Sequence, residues 1–441
     1  MQFTKIMIAV ATLAAVGVAA AVPAPAEIAI SSGASASKGN LAIGLGTMCT
    51  TAGGVMTEFT NGTSNLSTYV CAPSALTSGP SGTYSSTASG SFLKFAGTQF
   101  SELRLNVSGG SFTAICQVYG WPSAASVPPV PSCPNAPDNY VNPAATTLSV
   151  LEAEPAGSLR VGGLMDVEPN GFTSLVRTGL VPANLPGNQI LNAGFSQTFG
   201  VAVSNDLYTS MFNDQVTKLG MGCTLAMYNK PECVPVIGKA QMASIMSSAP
   251  GDAGARGANF LAPSTIGFAT PLIYARRVNT SGTQAAAQQY FLGNVCNASG
   301  LTVVPGGQST PALTVLNLGS TGNVRNQLGQ AGFSIGIMSG ENNQAESWKW
   351  IRVGGMSMSE SAQPADGSVT VSNTATALDG RYDYWFLSRV ARAAAVPAVN
   401  FWTPVIAAIG NVPAGTTRGL FKSSETLFTK GLNACQPVAT N

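Results

Sequence analysis

Three times along this chain, a short run of alternating apolar residues ends in a turn of serine, glycine or threonine. Each turn then passes into a helical pattern. The segments are "EIAISSGASASKGNLAIGL" at 27–45, "FSELRLNVSGGSFTAI" at 100–115 and "PLIYARRVNTSGTQAAAQQYF" at 271–291. Period-two alternation marks a strand, and 3.6-residue periodicity marks the helix that follows. Repeated strand–turn–helix units select an α/β fold over an all-β sandwich. Further strands are read at "SLRVGGLMDVEPNGF", ending near Asp166, at "FSQTFGVAVSNDLYTSMF", where Phe199, Val201 and Val203 alternate, and late in the chain at "AGFSIGIM", "WKWIRVGGM" and "GRYDYWFLSRV". A short helix is expected within "GKAQMASIMSS" at 238–248, with Ala240, Met242, Ala243 and Met246 on one side, and an apolar one near Val405 to Ile409. Trp348, Trp350, Trp385 and Trp402 are expected to pack in the interior.

The N-terminus is read separately. One charge, Lys5, precedes an uncharged run from Ile6 to Ala21, and "VPAPA" follows. A basic n-region, a short apolar stretch and small residues make a secretory signal, with cleavage expected after Ala26. The run is too short to span a bilayer comfortably. An exported protein, periplasmic or secreted, with no further membrane span is therefore expected.

Charge and chemistry narrow the function. Only 9% of residues are charged, against about 25% in average proteins. The net charge is +2, or +1 without Lys5, so nucleic acid is excluded as a partner because phosphate-backbone binding needs a basic surface. The chain has no histidine. A Ser-His-Asp triad, a Cys-His dyad, a histidine-ligated metal and an imidazole proton shuttle are thus all excluded. No cofactor and no metal are expected. The eight cysteines suit disulfides in an exported chain. Neighbouring pairs, Cys49 with Cys71, Cys116 with Cys133 and Cys223 with Cys233, would leave Cys296 and Cys435 for a long-range bridge. Residues from about 50 to 100, rich in Thr, Ser and Gly, read as an irregular or hairpin insertion.

The turns carry the candidate site. A helix N-terminus offers unpaired N–H groups and about half a positive charge, so several gathered at strand ends would form an oxyanion cradle. In "RVNTSGT", Arg277 can give paired hydrogen bonds, Ser281 and Thr283 supply hydroxyls, and Gly282 permits close approach of the backbone.

This stretch resembles the Arg-x-Asp-Gly-Ser-Gly-Thr motif of the periplasmic phosphate-binding proteins of ABC importers. "SSGASASKG" resembles that family's first ligand turn and puts Ser37 and Lys38 among the candidates. "NVSGGSFTAI" resembles its next turn, with Ser108 and Ser111. "GGLMDVEP" places Asp166 at the family's carboxylate, "TFGVAVSND" is similar to its crossover strand, and "FSIGIMSGE" to a later strand. The resemblance implies a type 2 periplasmic-binding fold: two lobes, each a mixed sheet flanked by helices, with the ligand cleft between them. Lobe one would comprise 27–198 plus 355–441, and lobe two 199–354. It further implies a monomeric, non-enzymatic binder of phosphate or a similar tetrahedral oxyanion, with an ABC permease as partner. The ligand set would be Ser37, Lys38, Ser108, Ser111, Asp166, Arg277, Asn279, Ser281, Gly282 and Thr283. Asn279 stands where the family has Asp, which removes the ion pair that orients the arginine. Two other readings follow from the same residues. One is a structural or adhesive surface protein that kept the fold without the ligand, and the other is a phosphomonoesterase. Asp379 and Asp383 lie four apart without other marks of a glycosidase.

Overall fold

The computed structural model describes residues 27–60, 66–73, 101–107, 110–119, 161–172, 175–176, 189–220, 222–227, 230–248, 256–293, 296, 300–342, 347–356, 374–394, 396–412, 419–430 and 439–440. The segment 1–26, Ser108, and the pairing of Cys116 with Cys133 therefore lie outside the described residues.

The first half of the chain contributes β1 (Glu27–Gly33), α1 (Lys38–Thr51), β2 (Val55–Thr60), β3 (Leu66–Ala72), β4 (Ser101–Asn106), α2 (Phe112–Tyr119), β5 (Val161–Met165) and β6 (Ile190–Ser204). After it come α3 (Asn205–Met211), β7 (Val236–Ile237), α4 (Lys239–Ser247), β8 (Leu272–Ala275), α5 (Gly282–Ala287), β9 (Gln308–Ser309), β10 (Leu313–Val315), α6 (Thr321–Leu328) and β11 (Ser334–Ser339). The last elements that shape the sheet are β12 (Trp348–Val353), α7 (Ala375–Leu378), β13 (Trp385–Arg392), α8 (Val396–Gly410) and β14 (Leu420–Lys422). The fold is mixed α/β: one sheet, ordered β2-β3-β4-β1-β5-β13-β6-β11-β8-β10-β9, flanked by helices.

Two parallel blocks sit in that sheet. β1 lies between β4 and β5, parallel to both, and β8 lies between β10 and β11, parallel to both. Parallel strands joined through helices carry their following turns at one edge of the sheet, where ligand crevices form. β6 links the blocks. Its residues 190–198 pair with β13, and its residues 199–204 pair with β11 and β12. From Phe195 to Ser204 every residue is buried, so both faces are covered and the Phe199–Val201–Val203 alternation understates how apolar the surroundings are.

Helices cover the faces. On one, Leu41, Leu45 and Met48 of α1 meet Phe401, Trp402, Val405 and Ile409 of α8. Gly162 makes that contact close, because a methyl group there would lie 2.2 Å from Trp402. A larger cluster joins Phe112, Ile115, Met165 and Phe172 to Phe199, Val201, Leu272, Ala285 and Ala286, so one continuous core underlies both blocks. Trp348, Trp385 and Trp402 are buried as expected, and Trp350 is half-buried. In α4 the inward residues are Met242, Ala243, Ile245 and Met246.

Disulfides join Cys49 to Cys71 and Cys223 to Cys233. The first ties α1 to the β2–β3 hairpin, which is the described part of the Thr/Ser/Gly-rich insertion. Cys296 is also disulfide-bonded. Among the described residues no helix is long and apolar enough to cross a membrane.

Candidate functional site

The turns after β4, β5 and β8 meet at one point. Ser111, in the turn into α2, donates from Oγ to Asp166 Oδ2 at 3.1 Å, and the Asp166 amide donates back to Ser111 Oγ at 3.2 Å. The turn into α5 packs directly on this pair. A methyl group at Gly282 would lie 2.2 Å from Ser111 Oγ and 2.6 Å from Asp166 Oδ2. Gly110, at φ +77, faces the carbonyl of Thr280 and the Cα of Ser281, and the Phe112 amide donates to Thr280 O at 3.0 Å. Ser111, Asp166, Ser281 and Gly282, separated by up to 171 positions in the sequence, are thus drawn into one cluster, and Thr283 is buried beside them on α5.

Asp166 is 4% exposed, and its Oδ1 has no hydrogen-bond partner. Burial pushes its pKa up to about 7; Glu341 raises it further, while Ser111 and Arg277 pull it down. Desolvation disfavours the charged form, so the carboxyl is poised between its two states near neutrality.

Arg277 is buried and held to the β10–α6 connection. Nη1 donates to Thr321 Oγ1 at 2.7 Å, Nη2 to Gly319 O at 3.2 Å and Nε to Leu318 O at 3.3 Å. Burial lowers its pKa to about 10, against the opposing pull of Asp166 and Glu341. Three of its five N–H groups are engaged, which leaves two for a ligand. Thr321 opens α6, whose N-cap Ser320 accepts from the Asn323 amide at 3.1 Å. Ser320→Ala is expected to lower stability by about 1 kcal/mol, read by chemical denaturation.

Glu341 is a site residue that the sequence reading passed over. Its carboxylate accepts from Ser339 Oγ at 2.7 Å and from Gln197 Nε2 at 3.0 Å, and burial raises its pKa. The available signal was its position directly beyond β11, in a chain with only 19 acidic residues. Glu168, by contrast, is buried where its charge acts on Arg389.

The remaining candidates are placed as follows. Ser37 is fully buried at the N-cap of α1, makes no side-chain capping bond, and its hydroxyl is unpartnered. Its turn begins against the same strand as Asp166, since the Ala34 amide donates to Leu164 O at 2.8 Å. Lys38 Nζ pairs with Glu58 of β2 at 3.1 Å. Asn279 is exposed and accepts from Arg276 Nη2 at 2.6 Å, so its partner is the neighbouring arginine. Asp383 accepts from the Tyr290 hydroxyl at 2.5 Å and pairs with Lys239 at 3.1 Å, while Asp379 pairs with Arg381, so both aspartates have structural partners. Among the described residues no group of acidic or cysteine side chains could hold a metal.

A buried carboxyl near its midpoint can accept a hydrogen bond from a protonated ligand, and the guanidinium and hydroxyls can donate to ligand oxygens.

No family model and no curated protein matches this chain. Two solved structures are similar to it at a distance. One is an ABC-type phosphate transport receptor from Vibrio cholerae, at 10% identity and a TM-score of 0.30, over 57% of this chain and 73% of that one. The other is described as a "possible phosphate binding protein" from Planctomyces limnophilus, at 9% identity and a TM-score of 0.31, over 86% of each chain. The likeness is one of distant fold alone.

Proposed function

We propose that this chain is an exported solute-binding protein that captures phosphate or a similar tetrahedral oxyanion, with an ABC permease as its partner. The observation that carries this reading is the contact among Ser111, Asp166 and Gly282, with Arg277 in electrostatic reach. In it, residues 27–198 with 355–441 and residues 199–354 form two lobes hinged on β6, and the 110–111 and 280–282 turns meet when the lobes close. Ser111, Ser281, Thr283 and the free N–H groups of Arg277 donate to the anion, and Ser37 adds a buried hydroxyl. The ionised Asp166 carboxylate accepts a hydrogen bond from the P–OH that phosphate retains at neutral pH. Sulfate has no proton to give, so the carboxylate repels it.

A second reading has its own observation. Arg277 is already engaged by Leu318, Gly319 and Thr321, and Gly282 already fills the space against Ser111. This would suit a structural protein whose turns lock together without a ligand. Intrinsic tryptophan fluorescence, followed during titration with phosphate, arsenate and sulfate, separates the two. Saturable changes with phosphate and arsenate, and none with sulfate, are the expected result. No response to any of the three at about 10 mM, a concentration that would reveal even weak binding, leaves the structural reading.

A further inference from the structure

Arg276 and Arg277 adjoin in the sequence but serve different sides of the turn, as successive residues at a strand end do. Arg277 turns to the β10–α6 connection. Arg276, 2% exposed, donates from Nη1 to the Arg277 carbonyl at 2.7 Å and from Nη2 to Asn279 Oδ1 at 2.6 Å, while its Nε has no acceptor. Both acceptors are neutral. Among the described residues no carboxylate forms an ion pair with Arg276. A buried cation without a counter-charge is costly unless something supplies one.

The same side chain forms part of the wall of a 460 Å³ cavity. Leu175, Val278 and Val303 give this cavity an apolar side, and Asn279, Thr302 and Asn317 give it a polar one. A volume in this range, with an apolar wall and a few polar groups, is that of a small-molecule site. A bare tetrahedral oxyanion would fill only a fraction of it and leave the apolar wall wet.

We infer that this cavity is a second ligand site, taking a small organic carboxylate whose anionic end is neutralised by Arg276 and whose apolar body lies against Leu175, Val278 and Val303. The site is independent of the oxyanion reading, because Arg277, Asp166 and Ser111 do not line it. Asn279 both orients Arg276 and contributes an amide to the wall.

Calorimetric titration of the whole chain with acetate, benzoate, hexanoate and the neutral benzamide tests the inference. Benzoate or hexanoate is expected to bind about tenfold more tightly than acetate, and benzamide at least about tenfold more weakly than benzoate. Thr302→Trp, at an exposed position on the rim, should abolish the binding by filling the cavity. Arg276→Gln should weaken it at least about tenfold. If Arg276→Gln fails to fold, Thr302→Trp and the benzoate–benzamide comparison decide. The inference is overturned if no acid binds at about 10 mM, if Thr302→Trp binds as the wild type does, or if benzamide binds as tightly as benzoate. Benzoate binding without a phosphate response would remove only the oxyanion reading.

Discussion

Replacing Gly282 by alanine is expected to lower stability by about 3 kcal/mol and to abolish oxyanion binding. Overpacking a filled interior costs about 1–3 kcal/mol when neighbours can give way, and this site has little freedom to do so. The added methyl would stand 2.2 Å from Ser111 Oγ, 2.6 Å from Asp166 Oδ2 and 2.8 Å from Asp166 Cβ. Ser111 and Asp166 hold each other through two hydrogen bonds, so relieving the clash means breaking that pair or lifting the 280–282 turn away. Either displacement separates the groups proposed to surround the anion. Gly46→Ala is the control. It lies within α1, where a methyl would meet only Met56 at 3.5 Å, and it should be neutral or stabilising by up to about 1 kcal/mol through helix propensity. Urea unfolding of both variants gives the comparison. An unchanged midpoint for Gly282→Ala would show that the turn is not packed against Asp166.

The second large effect is electrostatic. Asp166→Asn keeps the shape of the side chain and removes its charge. In the folded protein the carboxyl titrates at about 7, whereas in the unfolded chain it titrates near 3.9. Between those values the folded state holds a proton that the unfolded state has lost, so stability falls as pH rises. This residue's contribution is fully present below about pH 4 and lost as pH passes through 7. Its full span is on the order of 4 kcal/mol, and Glu341, also raised by burial, acts in the same direction. The asparagine variant should therefore differ from wild type least near pH 5 and become progressively more stable than it toward pH 8, with a flatter profile between. Lys430, whose ammonium burial lowers to about 8, contributes with the opposite sign at higher pH, so the comparison is made below that value. The same variant should lose preference for phosphate over sulfate, because no carboxylate remains to accept the phosphate proton. Denaturant midpoints measured across about pH 5 to 8 check the first part. A wild-type profile that rises through this window would contradict it.

Much of this arrangement was legible in the sequence because its signals are local. Alternating strands that end in small residues, then helical patterns, fix β1–α1, β4–α2 and β8–α5 and set their turns at one sheet edge. Ser281 and Gly282 were selected as donors and close-approach residues in the turn before a helix, and Ser111 and Asp166 through the resemblance of their segments to the phosphate-binding family. What escaped depends on which elements become neighbours. The orientation of Arg277 follows from the approach of Leu318 and Gly319, 41 and 42 positions away. Asn279 was placed in the ligand set by the resemblance, as the counterpart of the family's Asp, yet the turn geometry gives it to Arg276. Glu341 drew no attention at the end of a strand; pairing of β11 with β6 brings Gln197 to its carboxylate. Lys38 sits in a ligand-like turn, but the β2–β3 hairpin, which was read no further than as an irregular or hairpin insertion, supplies Glu58 to it.

The Asp166 carboxyl itself reports most directly on whether this cluster meets an anion. Carbon-detected NMR of carboxyl-labelled aspartate, assigned by Asp166→Asn and followed against pH with and without phosphate, reads that group alone. A titration midpoint near 7 in the free protein and a saturable displacement of the Asp166 signal by phosphate, with sulfate far less effective, is the expected result. A signal that titrates near 3.9, like a solvated aspartate, and stays unmoved by phosphate would contradict the proposed site.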